Sequence, residues 1–225
     1  MAQGISATLT FAIGVAISPV PIIAVILMLF SSRAKVNGPM FLLGWVMALS
    51  VVSGVAYFIS DAGNASTNTA AGEGVSWVQI AFGVLFLLLA GRSWRNRPEP
   101  GAEPQMPKWM AGIDAFVPAK ALGFGLLLAG VNPKNLFLAV GAGSALAMFG
   151  PSATDAVVSL IVFVVVASLT IAGPVVFYLF GGDRAKTQLD SAKGWLAMHN
   201  DAVMMVLFLV FGVDLIAKGI PSLTR

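Results

Sequence analysis

Six long apolar stretches dominate this chain, at about residues 5–30, 39–59, 75–91, 121–148, 152–180 and 201–219. A helix needs about 20 apolar residues to cross the hydrocarbon core of a bilayer. The stretches meet or approach that length. They are too long for barrel strands and lack the alternation such strands carry. Lipid offers backbone groups no partners, so spanning segments satisfy them internally as helices. Charged residues make up only 10% of the 225 residues and hydrophobic ones 58%. A soluble domain of this size could not cover so much apolar surface. A soluble enzyme, a disordered chain and a nucleic-acid-binding domain are therefore excluded. With no cysteine in the chain, disulfides, iron–sulfur clusters and thiol nucleophiles are excluded too. The expectation is an all-α integral membrane protein with six transmembrane helices.

The first stretch is expected to stay as a span. No basic residue precedes Arg33, and a small-x-small pattern, Ala16-Ile17-Ser18, runs into Pro19. Neither feature suits a cleaved signal peptide. Basic residues then alternate by loop. Arg33 and Lys35 lie in the first loop, and Arg92, Arg95, Arg97, Lys108 and Lys120 in the third. Arg184, Lys186 and Lys193 lie in the fifth. The second loop carries Asp61 and Glu73 instead, and the fourth carries no charge. Positive charge marks the cytoplasmic side, so both termini are expected outside. The basic balance of the chain is thus a topology signal.

The proline-rich, charged segment 92–120 divides the chain into a first three-helix part, 1–91, and a second, 121–225. Three spans per half make any repeat an inverted one. The halves share punctuation. The first span breaks at Ser18-Pro19-Val20-Pro21 and the fourth at Asn132-Pro133-Lys134-Asn135. Gly38-Pro39 opens the second span and Gly150-Pro151 the fifth. Paired interrupted segments in matching positions point to a transporter site near the membrane middle. Proline is also simply common in membrane helices. Residues 183–199 mix charges with Leu189, Trp195, Leu196 and Met198, which predicts an interfacial helix on the cytoplasmic face. His199, the only histidine, reads as an interface residue.

Lys134 lies fourteen residues beyond Lys120, about 20 Å along a helix. A charge at that depth must pair or face water. Two readings stay open. Lys134 contacts an anionic substrate group or carries a proton, or it caps carbonyls that a neighbouring proline leaves free. Asn132 and Asn135 can serve ligand or backbone equally. Ser18, Pro19 and Pro21 shape either half of a central site or a plain kink. Asp214 is a second intramembrane charge, four residues before Lys218, an order that suits a helical ion pair. Gly44, Gly83, Gly141, Gly143 and Gly212 are expected to let helices approach closely. No Walker motif and no metal-spaced His–carboxylate cluster occurs. The expectation is a protein that is not an enzyme and has no metal or cofactor.

Several of these runs together resemble one family. They are the run from Pro19 to Leu29, Gly44-Trp45-Val46, and Pro107-Lys108-Trp109-Met110 with Ile113-Asp114. The run from Val131 to Leu136, containing Asn132-Pro133-Lys134-Asn135, completes them. The chain resembles the GAP family, the glycolipid-addressing or sulfolipid-1-addressing membrane proteins of actinobacteria, within the lysine-exporter (LysE) superfamily. Asp214 stands where that family's pattern leads one to expect a neutral residue. The resemblance implies two inverted three-helix repeats. It also implies export of a lipid-linked or small amphiphilic molecule across the cytoplasmic (inner) membrane, in service of the cell envelope. An anionic head group would suit Lys134, and the scarcity of membrane carboxylates weighs against a metal cargo. The expected transport residues are Ser18, Pro19, Pro21, Asn132, Pro133, Lys134 and Asn135. The alternative is a non-transporting accessory protein of a glycolipid-export complex. Its basic loop, with Lys108, Trp109 and Asp114, would dock a larger lipid transporter. Small-residue helix faces also permit a homodimer. No nucleic-acid partner is expected.

Overall fold

Proline opens three of the helices. The computed structural model describes residues 1–65, 69–97, 112–113 and 115–223, with the side chains of 64–79, 182–183, 218–219 and 221–223 outside the description. Helix α1 (Ala2–Ala16) stops before Pro19, and α2 (Pro19–Phe30) begins on it. Two further helices, α5 (Pro118–Gly130) and α6 (Pro133–Ala147), also begin on proline. A helix's first N–H has no intrahelical partner, and the fixed φ of proline fits there. The remaining helices are α3 (Ala34–Ala65), α4 (Thr69–Arg95) and α7 (Ala153–Leu223). The turn into α7 uses Gly150 at φ +51°, where a Cβ would be strained.

Every regular element among the described residues is helical except a short 3₁₀ turn near Ile113. Three segments are long and apolar enough to cross a membrane, namely Ala34–Gly63, Ala153–Gly181 and Arg184–Ala217. Two bent pairs qualify as broken spans. The α1–α2 pair bends by 57° and the α5–α6 pair by 65°. Both breaks fall at the predicted proline motifs. The protein is therefore a multi-pass membrane protein. The predicted third stretch, 75–91, lies within α4, outside that set of segments. Helix α7 differs from expectation in running unbroken through the predicted interfacial segment 183–199. Its Ala185, Lys186, Gln188, Leu189, Ala192 and Lys193 favour continued helix, and no proline interrupts them.

The fold has two compact units. The first comprises Met1–Asn64 and Gln105–Ala197. Here α1 and α6 lie antiparallel. The Gly4 backbone meets Leu146, and Gly141 meets the Phe11 ring. In contrast, α3 runs alongside α5 and then α6 in the same direction. A Cβ at Gly44 would overlap the Leu122 carbonyl, one at Gly125 the Phe41 carbonyl, and one at Gly143 the Ser53 carbonyl. Small residues let these backbones touch, as membrane helix pairs favour. Phe41 and Trp45 are fully buried beside that seam. At the far end of α2, Lys193 lies 5.3 Å from the Phe30 ring centroid and pairs with Asp190.

The second unit comprises Ala65–Pro104 and Met198–Arg225. Within it α4 and the end of α7 run antiparallel. Gly83 and Gly212 face each other: a Cβ at Gly83 would meet Ile216 and the Gly212 carbonyl, and one at Gly212 would meet Leu87 and the Gly83 carbonyl. Phe86 and Phe208 pack at 5.4 Å beside them. All five glycines predicted to allow close packing therefore do so. Val157, Ile161, Val165 and Leu169 form an exposed stripe at four-residue spacing on α7. In water such a stripe would be costly; in lipid it is the expected outer face.

Candidate functional site

The two helix breaks meet each other. Their meeting is an exchange of side chains for lost backbone partners. In an uninterrupted helix the N–H of residue 21 would bond the carbonyl of residue 17, but proline has no N–H. Ser18 N–H turns instead to Ala16 O at 2.9 Å, which leaves Gly14 O free. Lys134 reaches across from α6 and takes these two oxygens. Its Nζ donates to Gly14 O at 2.8 Å and to Ile17 O at 2.7 Å. A cation also suits the negative end of the α1 dipole. Lys134 is 5% exposed.

The opposite break is repaired the same way. Asn132 N–H bonds Leu127 O at 3.1 Å rather than Leu128 O. Asn135 Nδ2 donates to the freed Leu128 O at 2.9 Å. Its other amide atom, Oδ1, accepts from Ser18 Oγ at 2.9 Å. Asn135 is fully buried and Ser18 nearly so. Asn132 caps α6, its Oδ1 accepting from Lys134 N–H at 3.1 Å. Pro19 and Pro21 hold the first turn of α2, and Pro133 that of α6.

The seven predicted residues Ser18, Pro19, Pro21, Asn132, Pro133, Lys134 and Asn135 thus belong to one crossing. In this geometry the Lys134 ammonium caps two main-chain carbonyls. Among the described residues, no carboxylate lies within ion-pair distance of it. Asp214 belongs to the second unit, half-buried on α7. Its predicted partner Lys218 and the loop residues Lys108, Trp109 and Asp114 lie outside the described side chains.

Sequence reasoning missed Thr170. Its Oγ1 donates to Ala16 O at 2.7 Å, adding α7 to the same crossing. A hydroxyl inside an apolar stretch was a visible signal, but its partner is a main-chain oxygen more than 150 residues away. Gly14 and Ile17 contribute only through their carbonyls, which no side-chain motif records. No three His, Cys, Asp or Glu side chains gather as metal ligands among the described residues.

A profile of the sulfolipid-1-addressing protein family matches residues 8–221 of the chain, including both broken helices. The chain belongs to that family. Membership joins the apolar helices in pointing to a lipid-related role in the membrane. No curated protein and no solved structure matches the chain significantly.

Proposed function

We propose that the chain is an exporter of a lipid-linked or small amphiphilic, anionic molecule, working by alternating access at the crossing of the two broken helices. The observation that carries this reading is Lys134, a buried cation held at two paired helix breaks. Buried intramembrane charge beside broken helices is a common mark of a transport site. The family's name suggests the cargo class, since a sulfolipid carries an anionic sulfur-containing head group.

The full topology we propose has six spans in two inverted repeats, 1–91 and 121–225, joined by the loop 92–120. In this topology both termini face outward and the membrane is the cytoplasmic one. Three features support it. The two bent pairs have similar angles. The relative directions of α1 and α6 and of α3 and α5 follow alternating spans. The third and sixth spans share one compact unit, while spans one, two, four and five share the other. The chain acts as a transporter of the lysine-exporter type without enzymatic chemistry.

Purified protein in liposomes is the test. A sulfated glycolipid placed in one leaflet should reach the other faster than in protein-free vesicles. Lys134→Ala and Asn132→Ala should abolish that gain. No movement by the parent protein, together with retrieval of a larger transporter by pull-down, would favour the accessory reading instead.

A further inference from the structure

The export reading leaves open how the crossing opens, and the hydrogen bonds at Lys134 bear on that. Its Nζ donates to both Gly14 O and Ile17 O, and it belongs to the other broken helix. The bonds Ser18–Asn135 and Asn135–Leu128 are neutral. Charge-assisted bonds are roughly twice as strong as neutral ones. Lys134 is therefore the strongest single tie between the two breaks, and it is the tie an anion can compete for. A carbonyl carries only a partial charge, so a sulfate or phosphate ester outbids it for an ammonium in a low-dielectric site.

We propose that Lys134 is a latch opened by ligand exchange. While its ammonium holds the Gly14 and Ile17 carbonyls, α1 is pinned to α6 and the crossing is shut to water. When an anionic head group takes the ammonium, the end of α1 is released and water reaches the crossing. No bond is made or broken beyond hydrogen bonds. Substrate recognition and gate opening are then the same event. A neutral lipid of the same shape does not open the crossing, because it offers the ammonium no better partner than the carbonyls. This inference rests on the export reading and specifies how the head group acts there.

The chain contains no cysteine, so a single introduced thiol reports on the crossing without background. Ala16 is 8% exposed and lies beside the latch. The parent for the test is Ala16→Cys in phosphatidylcholine vesicles, labelled by a membrane-impermeant maleimide. Lys134→Met in that parent should label about tenfold faster or more, from the usual worth of buried charge-assisted bonds. Sulfatide, a sulfated galactosyl lipid, should accelerate labelling of the Lys134 parent by a similar factor and leave Lys134→Met unchanged. Unsulfated galactosylceramide should do nothing to either.

Ser60→Ala removes the Ser60–Ser144 bond elsewhere in the same unit and controls for general loosening. The latch is overturned if Lys134→Met labels no faster than its parent, or if Ser60→Ala opens the site equally. It is also overturned if sulfatide acts the same with and without Lys134. Should Lys134→Met fail to fold, the sulfatide arm on the parent decides alone: no acceleration rejects the latch. Flux measured in the same vesicles separates the two readings. Sulfatide-dependent labelling without flux supports the latch and rejects export. Flux with unchanged labelling rejects the latch and supports export.

Discussion

Lys134 Nζ donates to the Ile17 carbonyl at 2.7 Å, the oxygen that Pro21 leaves without its helical donor. One break is thus repaired by the residue that follows proline in the other. The arrangement ties helix geometry to the only buried lysine or arginine among the described side chains.

Restoring the missing donor should relieve the need for Lys134. Pro21→Ala supplies an N–H to Ile17 O and lets α1 and α2 approach a continuous helix. In combination with Lys134→Met it should recover at least half of the stability that Lys134→Met alone loses. Thermal unfolding in detergent of the two single variants and the double variant measures this. Additive losses would reject the account.

Ser18 and Asn135 should be energetically coupled. Interhelical hydrogen bonds in membranes average about 0.6 kcal/mol, with a maximum near 1.7. A double-mutant cycle with Ser18→Ala and Asn135→Ala, followed by equilibrium unfolding in mixed micelles, should return a coupling in that range. A value indistinguishable from zero would mean that the bond contributes nothing.

The glycines divide into two classes with opposite predicted outcomes. Gly44→Ala, Gly125→Ala and Gly143→Ala place a methyl group into a neighbouring carbonyl and should each cost about 1–3 kcal/mol through overpacking. Gly54, Gly123 and Gly173 have open space where a Cβ would stand. Alanine there should be neutral or stabilise by about 0.5–1 kcal/mol through helix propensity. Melting temperatures of the six variants test the division.

The exposed stripe on α7 should face lipid. Val165 lies near the middle of Ala153–Gly181 and is 55% exposed. Val165→Lys should raise the apparent insertion free energy of this segment by about 2.5–3.5 kcal/mol. A glycosylation-based insertion assay on the isolated segment reads this directly. Lysine accepted at no cost would place that face against water.

Both breaks were legible in the sequence, because proline cannot donate and the two motifs stand at matching places in the chain. The five packing glycines were legible for a similar reason, since small residues in apolar stretches have few other uses. The unbroken course of α7 through 183–199 was not. There charge suggested an interface, while local helix propensity, unopposed by proline, carried the helix onward. Thr170 was hidden because its partner is backbone, and backbone oxygens look alike in every sequence.

By itself, then, the sequence determined the solvent and the weak points. Scarce charge and long apolar runs require lipid, and three prolines fix where two helices must part. Only the tertiary structure decided how the freed carbonyls are satisfied. That choice depends on which side chain arrives within 3 Å from another helix. Lys134 could have turned to water, to a carboxylate or to a cargo. Packing α1 antiparallel to α6 brings it to Gly14 and Ile17 instead.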